Sequence, residues 1–143
     1  MAEKLPTAQL FRYEKPEVDR AKAITFLCRT DRLIGAVQVI KQGGENNLHA
    51  HRHMDGMWMV LAGRARFYGE GNQLLAELGR YEGIMVPRGF QYWFESAGDE
   101  DLELLQVEAS DVAFKDATRE TDRVDYAPPK PSLDSAVVID GRI

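Results

Sequence analysis

From residue 24 to residue 109 no apolar run lasts more than about five or six residues before glycine, proline or a polar pair stops it. Ile24-Thr25-Phe26-Leu27-Cys28 and residues 33–40 are rich in β-branched and aromatic side chains, and Gly43-Gly44 closes the second run. Residues 57–61, 64–68, 73–78, 81–86, 91–94 and 102–107 continue the series, with Gly69-Glu70-Gly71-Asn72 as a turn between two of them. Short β-prone runs punctuated about every eight to twelve residues build sandwiches or barrels. The chain is therefore expected to be all-β, as an antiparallel barrel over residues 24–109 with an arm at each end. In the N-terminal arm, residues 1–23, Leu10-Phe11-Arg12-Tyr13 reads as one strand, and Pro16 to Ala23 as a helical turn, because proline suits a first helical position and acids suit a first turn. In the C-terminal extension, residues 110–143, a short helix is expected from Ser110 to Thr121. Pro128-Pro129-Lys130-Pro131 reads as a stiff linker. Residues 135–140 read as a last strand that docks on its own barrel or on a partner's.

All three histidines lie within five residues, in His49-Ala50-His51-Arg52-His53. Side chains alternate faces along a strand, so an extended segment would point the three imidazoles the same way. Such a row suits a metal that draws ligands from a sheet, since histidine is the commonest metal ligand; a polar, solvated strand end that is merely histidine-rich explains it equally well. His49 and His53 would stand about 13 Å apart along a strand. With bonds near ~2 Å, one metal reaches only a neighbouring pair, His49 with His51 or His51 with His53.

Together with Gly79 to Glu95, this segment resembles the cupin superfamily. Gly43, His49, His51 and Gly63 fall in the frame of that family's first motif, and Pro87-Arg88-Gly89-Phe90-Gln91-Tyr92 falls on the Pro-x-Gly-x-x-His of its second. The resemblance covers about residues 33–109 and implies a double-stranded antiparallel β-barrel of jelly-roll type. It also implies a divalent transition metal, such as iron, zinc, nickel or manganese, held by His49 and His51. Two family ligands are absent: Gly56 stands at the glutamate position and Tyr92 at the histidine position. Three residues offer themselves in their place. Asp55 would need a bulge to face the site. His53 could pair with His51. Tyr92 could ligate as a phenolate only on a strongly Lewis-acidic metal, its ordinary pKa being about 10.

Trp58 and Val60 are expected to face the barrel interior with the histidines, as are Tyr92 and Phe94. Met57, Met59, Leu61 and Trp93 are expected to face outward. Trp58 could fill the volume left by glycine at position 56, although an ordinary core role explains a buried tryptophan as well. The interior would be an aromatic small-molecule pocket, with Trp58, Phe94 and Tyr92 as substrate contacts. The outward row would be a sticky patch best buried in a homodimer.

Two functional readings remain open. One is a metal-dependent enzyme acting on a small organic molecule, whether dioxygenase, isomerase, lyase or cyclase, with Tyr92 as proton donor or ligand; without metal, His51 and Tyr92 could still act as general acid and base. The other is a metal-free module that only binds its ligand. Composition narrows the partners. The 143 residues carry a net charge of −5, with 18 basic side chains scattered among 23 acidic ones, so nucleic acid is not an expected partner. No apolar run approaches a membrane span. The polar start Met-Ala-Glu-Lys-Leu-Pro has no secretory character. A single cysteine, Cys28, fits a reducing cytoplasm, and its apolar neighbours argue against a nucleophile.

Overall fold

A computed structural model of the chain describes residues 7–42, 44–111, 121–123 and 136–143. The described residues form the strands β1 (Lys22–Arg29), β2 (Leu33–Ile40), β3 (His49–His51), β4 (Met54–Ala62), β5 (Ala65–Tyr68) and β6 (Leu74–Leu78). They continue as β7 (Gly83–Val86), β8 (Trp93–Ser96), β9 (Leu102–Ser110), β10 (Thr121–Arg123) and β11 (Val137–Asp140). One 3-10 turn, Glu70–Asn72, sits in the expected β5–β6 connection.

The strands form a six-stranded sheet in the order β11-β1-β2-β9-β4-β7, a three-stranded sheet β6-β5-β8 and the pair β10-β3. Pairings are antiparallel except that of β11, which lies parallel to β1. The expected terminal strand thus docks on its own barrel. The sheets close over one apolar interior: Ile40, Val60, Phe67, Phe94, Leu102 and Leu104 are fully buried within a single cluster. Phe67 and Phe94 pack with ring centroids 5.1 Å apart, and burial of each large side chain contributes about 2–3 kcal/mol. Between β4 and β5 the chain turns through Gly63 at φ +79, where a Cβ would also meet the Asp101 carbonyl oxygen at 2.6 Å. Only glycine suits that position.

Three expectations require correction. Pro16 to Ala21 carries no helical turn, and Lys22 and Ala23 already belong to β1, where Ala23 pairs with Val39. Local helix signals lost to strand pairing there. Residues 10–13 make no strand of their own; Phe11 forms an isolated bridge with Arg142. The outward apolar row is also split. Met57 is exposed and Met59 and Leu61 are half-buried on β4, whereas Trp93 lies in the other sheet, stacked on Tyr68 with its indole N–H donating to Asn72. Ser110 ends β9, the rest of the expected helix lies mostly outside the described residues, and the proline linker lies wholly outside them.

The inward set is as expected but reaches that arrangement by an unexpected route. Trp58 and Val60 are buried while Met57 is exposed. Unbroken alternation from His51 would have turned Met57 and Met59 inward instead. A bend at Arg52 and His53, between β3 and β4, resets the phase. Odd-numbered histidines and even-numbered core residues therefore share one interior.

Candidate functional site

Along β9 the inward side chains change from Leu102 and Leu104 to Gln106 and Glu108, and along β2 from Ile40 to Gln38. Where the interior turns polar it opens into a cavity of about 280 Å³. Lys22 of β1, Gln38, Gln106 and Glu108 line it beside His49 and His51 of β3, Trp58 of β4, Tyr92 just before β8, and Asn46 and Asn47 from the loop ahead of β3.

Backbone pairing sets the histidine–tyrosine geometry. The His49 N–H donates to the Tyr92 carbonyl at 3.1 Å, and the Tyr92 N–H returns a bond to the His49 carbonyl at 2.9 Å. The rings of His49 and Tyr92 consequently lie 4.4 Å apart, those of His49 and His51 5.0 Å, and those of His51 and Tyr92 6.3 Å. His49 Nδ1 stands 2.6 Å from the Asn47 carbonyl oxygen, which can only accept. Nδ1 therefore carries a proton.

Three titratable groups in the cavity depart from their ordinary behaviour. Burial holds the His51 imidazole below its usual value, opposed by the neighbouring Glu108 carboxylate. Burial also pushes the Tyr92 phenol well above its usual value, with Glu108 adding in the same direction. Desolvation brings the Lys22 ammonium down from 10.5 to about 8. Glu108 accepts a hydrogen bond from the Gln106 amide, and Gln106 accepts one from Gln38, so a relay of amides ends on the carboxylate. Among the described residues, four buried polar atoms of the lining have no hydrogen-bond partner: Gln38 Oε1, Asn47 Nδ2, His51 Nδ1 and Trp58 Nε1. Such atoms are costly in a protein interior, about 1–3 kcal/mol each.

His49, His51, Tyr92 and Trp58 are thus gathered around one cavity. Phe94 lies in the core beneath it, packed against Tyr92 at 6.4 Å, and does not line it. His53 does not line it either, because the bend takes it out of the strand. Asp55 is exposed and faces Arg88, whose N–H it accepts at 2.9 Å. Position 56 is closed to a larger residue: a Cβ on Gly56 would meet Trp58 Cη2 at 2.5 Å. The indole occupies the place where the motif resemblance implies a glutamate.

A carboxylate nevertheless returns from the adjacent strand, since Glu108 is the cross-strand partner of Gly56. Its hydrogen bond goes to Gln106, and among the described residues no three His, Cys, Asp or Glu side chains are gathered closely enough to hold a metal ion. Burial and the Glu108 carboxylate both oppose the phenolate that Tyr92 would need as an anionic ligand. The donor set amounts to two imidazoles and does not fit the four-ligand metal centre that the motif resemblance implies.

Sequence reasoning missed Lys22, Gln38, Asn46, Asn47, Gln106 and Glu108. For Gln38 and the Gln106/Glu108 pair a signal existed: amides and a carboxylate inside otherwise apolar strands. Lys22 was hidden by its place in a segment read as helical.

No protein-family model matches the sequence, and no curated protein matches it either. Solved structures do match in three dimensions. KdgF from a Halomonas species aligns with a TM-score of 0.62 at 16% identity, covering 73% of this chain and 96% of that one. A Klebsiella pneumoniae protein with a double-stranded β-helix domain aligns at 0.60 and 19% identity, over 68% of this chain and 79% of that one. The cupin domain of Schizosaccharomyces pombe Cnp3 aligns at 0.60 and 17% identity, over 71% and 73%. Identities this low speak for architecture alone: the chain has the cupin double-stranded β-helix fold.

Proposed function

We propose that the barrel cavity binds a small organic molecule and moves a proton on it without a metal, with His51 as base and Tyr92 as acid. The observation that carries this reading is the meeting of His51, Tyr92 and Glu108 around one cavity with an aromatic floor. Perturbed titratable groups clustered in a cleft are a mark of acid–base sites. An imidazole kept neutral near pH 7 can accept a proton, and the Glu108 carboxylate then stabilises the imidazolium. A phenol kept protonated can donate to an oxygen that gains negative charge.

Proton NMR in D2O with a panel of small carbonyl compounds tests this reading. The protein should speed loss of an α-proton signal on at least one panel member, His51→Gln should abolish it, and prior chelation should leave it intact. Activity that vanishes on chelation and returns with iron, zinc, nickel or manganese would restore the metal-dependent enzyme. The Trp58 ring over Gly56 supports a second reading, a pure binding module, under which ligands bind and no exchange occurs at all.

We also propose that the protein works as a cytoplasmic homodimer. Cys28 is a free thiol, and among the described residues no helix is long and apolar enough to cross a membrane. Met57 and Met85 are cross-strand partners at the β7 edge of the six-stranded sheet, 43% and 64% exposed. Their apolar surface favours burial against a second copy. Light scattering at micromolar concentration should give twice the 16.2 kDa chain mass, and Met57→Lys should return the monomer.

A further inference from the structure

We propose that the cavity is built to take a small carboxylate, with Lys22 as its counter-ion and Asn47 and Trp58 as supporting donors. The proposal rests on the small-molecule reading of the cavity and adds the chemical class of the ligand.

Lys22 is 7% exposed and lines the cavity from β1. Among the described residues its one recorded partner is the Phe94 ring, whose centroid lies 5.8 Å from Nζ. A ring face is a weak substitute for a counter-ion at a buried cation. Glu108 lines the same cavity but spends its carboxylate on the Gln106 amide, and it acts on His51 and Tyr92 rather than on Lys22. The polar wall therefore has two poles, a cationic one at Lys22 and an acidic one at Glu108.

The unpartnered atoms point to the same ligand. Asn47 Nδ2 and Trp58 Nε1 are donors without acceptors among the described residues, on residues 9% and 2% exposed. With the Lys22 ammonium these make three donors in the lining, beside the unpartnered Gln38 Oε1 and His51 Nδ1. A carboxylate presents two acceptor oxygens and one negative charge, which matches both the donors and the cation. A neutral amide or alcohol would meet the donors but leave the buried charge uncompensated.

Propionate is the shape-tolerant probe, with propionamide and chloride as controls at matched ionic strength. The full chain is titrated by NMR, following the Lys22 side-chain resonances and the backbone signals of the cavity. Propionate should bind and move the Lys22 titration upward from about 8, while propionamide and chloride should not. Affinity should fall as pH rises past that midpoint; His49, His51, Tyr92 and Glu108 also face the cavity, so the Lys22 resonance must itself report the loss. Lys22→Met removes a buried charge and so should fold, and it should bind propionate about ten- to a hundredfold more weakly, the range expected for a lost charged hydrogen bond. Equal binding of propionamide, an equal response to chloride, undiminished binding by Lys22→Met, or no response to propionate would each overturn the proposal. Propionate binding that persists in a protein without proton-transfer activity would sink only the acid–base reading. Proton transfer on neutral carbonyl compounds, without carboxylate preference, would sink only this one.

Discussion

Leu102 and Leu104 share the inward face of β9 with Gln106 and Glu108, yet the first pair packs in the apolar cluster and the second lines the cavity. At the apolar end Ile40, Val60, Phe67, Leu102 and Leu104 are fully buried and need no partner beyond one another. In the cavity lining, Lys22 titrates at about 8 instead of 10.5, which corresponds to a desolvation cost on the order of 3 kcal/mol at neutral pH. One barrel interior therefore joins an apolar cluster that holds it shut to a cavity lined by a lysine whose burial opposes folding. A cavity whose lining opposes folding is accounted for by what it binds, and the apolar end supplies the stability that tolerates it.

The largest effect should come from the apolar end. Phe67→Ala deletes a fully buried ring that packs against Trp58, Tyr92 and Phe94, and should lower stability by about 3–5 kcal/mol in urea unfolding. A loss near zero would break the division between the two ends. Lys22→Met should go the other way and stabilise the protein at pH 7 by up to ~3 kcal/mol. The sign follows from proton binding: between about 8 and 10.5 the unfolded lysine keeps its proton and the folded one gives it up. Wild-type stability should accordingly rise with pH across that window relative to Lys22→Met, and the penalty should be complete below it. Urea melts of both proteins at pH 7 and at pH 10 check this. The smallest effect belongs to the boundary. Gly56→Glu forces the Trp58 ring to move and should cost about 1–3 kcal/mol. If the variant instead gains stability and binds iron or zinc, Trp58 is a yielding lid over a metal site rather than a fixed wall.

Much of the architecture was legible because strand punctuation and face alternation are local properties. Residues 33–40 and 102–107 fall within β2 and β9, and the Gly69–Asn72 turn lies where expected. The histidine row was legible as far as His51 and failed at His53, since a bend is a tertiary decision that alternation cannot foresee. Trp58 and Val60 were read on the correct face, although an intact strand would not have put them there. Most of the polar lining went unread. Lys22 lay in a segment whose proline and acids imitate a helix start, and its strand identity comes from pairing with Ile40. Glu108 stands opposite Gly56 only once β4 and β9 are in register, a relation between residues 52 positions apart. Motif spacing along one strand has no means of registering a carboxylate supplied by its neighbour.

Trp58 has one more consequence, and it is optical. The chain has two tryptophans, and they sit in unlike surroundings: Trp58 is buried in the cavity wall with its ring 5.1 Å from Tyr92, while Trp93 is half-buried on the other sheet and stacked on Tyr68. Indole emission responds to the polarity and charge around the ring, so whatever enters the cavity should change the colour or brightness of Trp58 and leave Trp93 unchanged. The residue that fills the place of a metal ligand thereby gives the protein an intrinsic fluorophore at its own site, one that Trp93→Phe would leave alone in the spectrum.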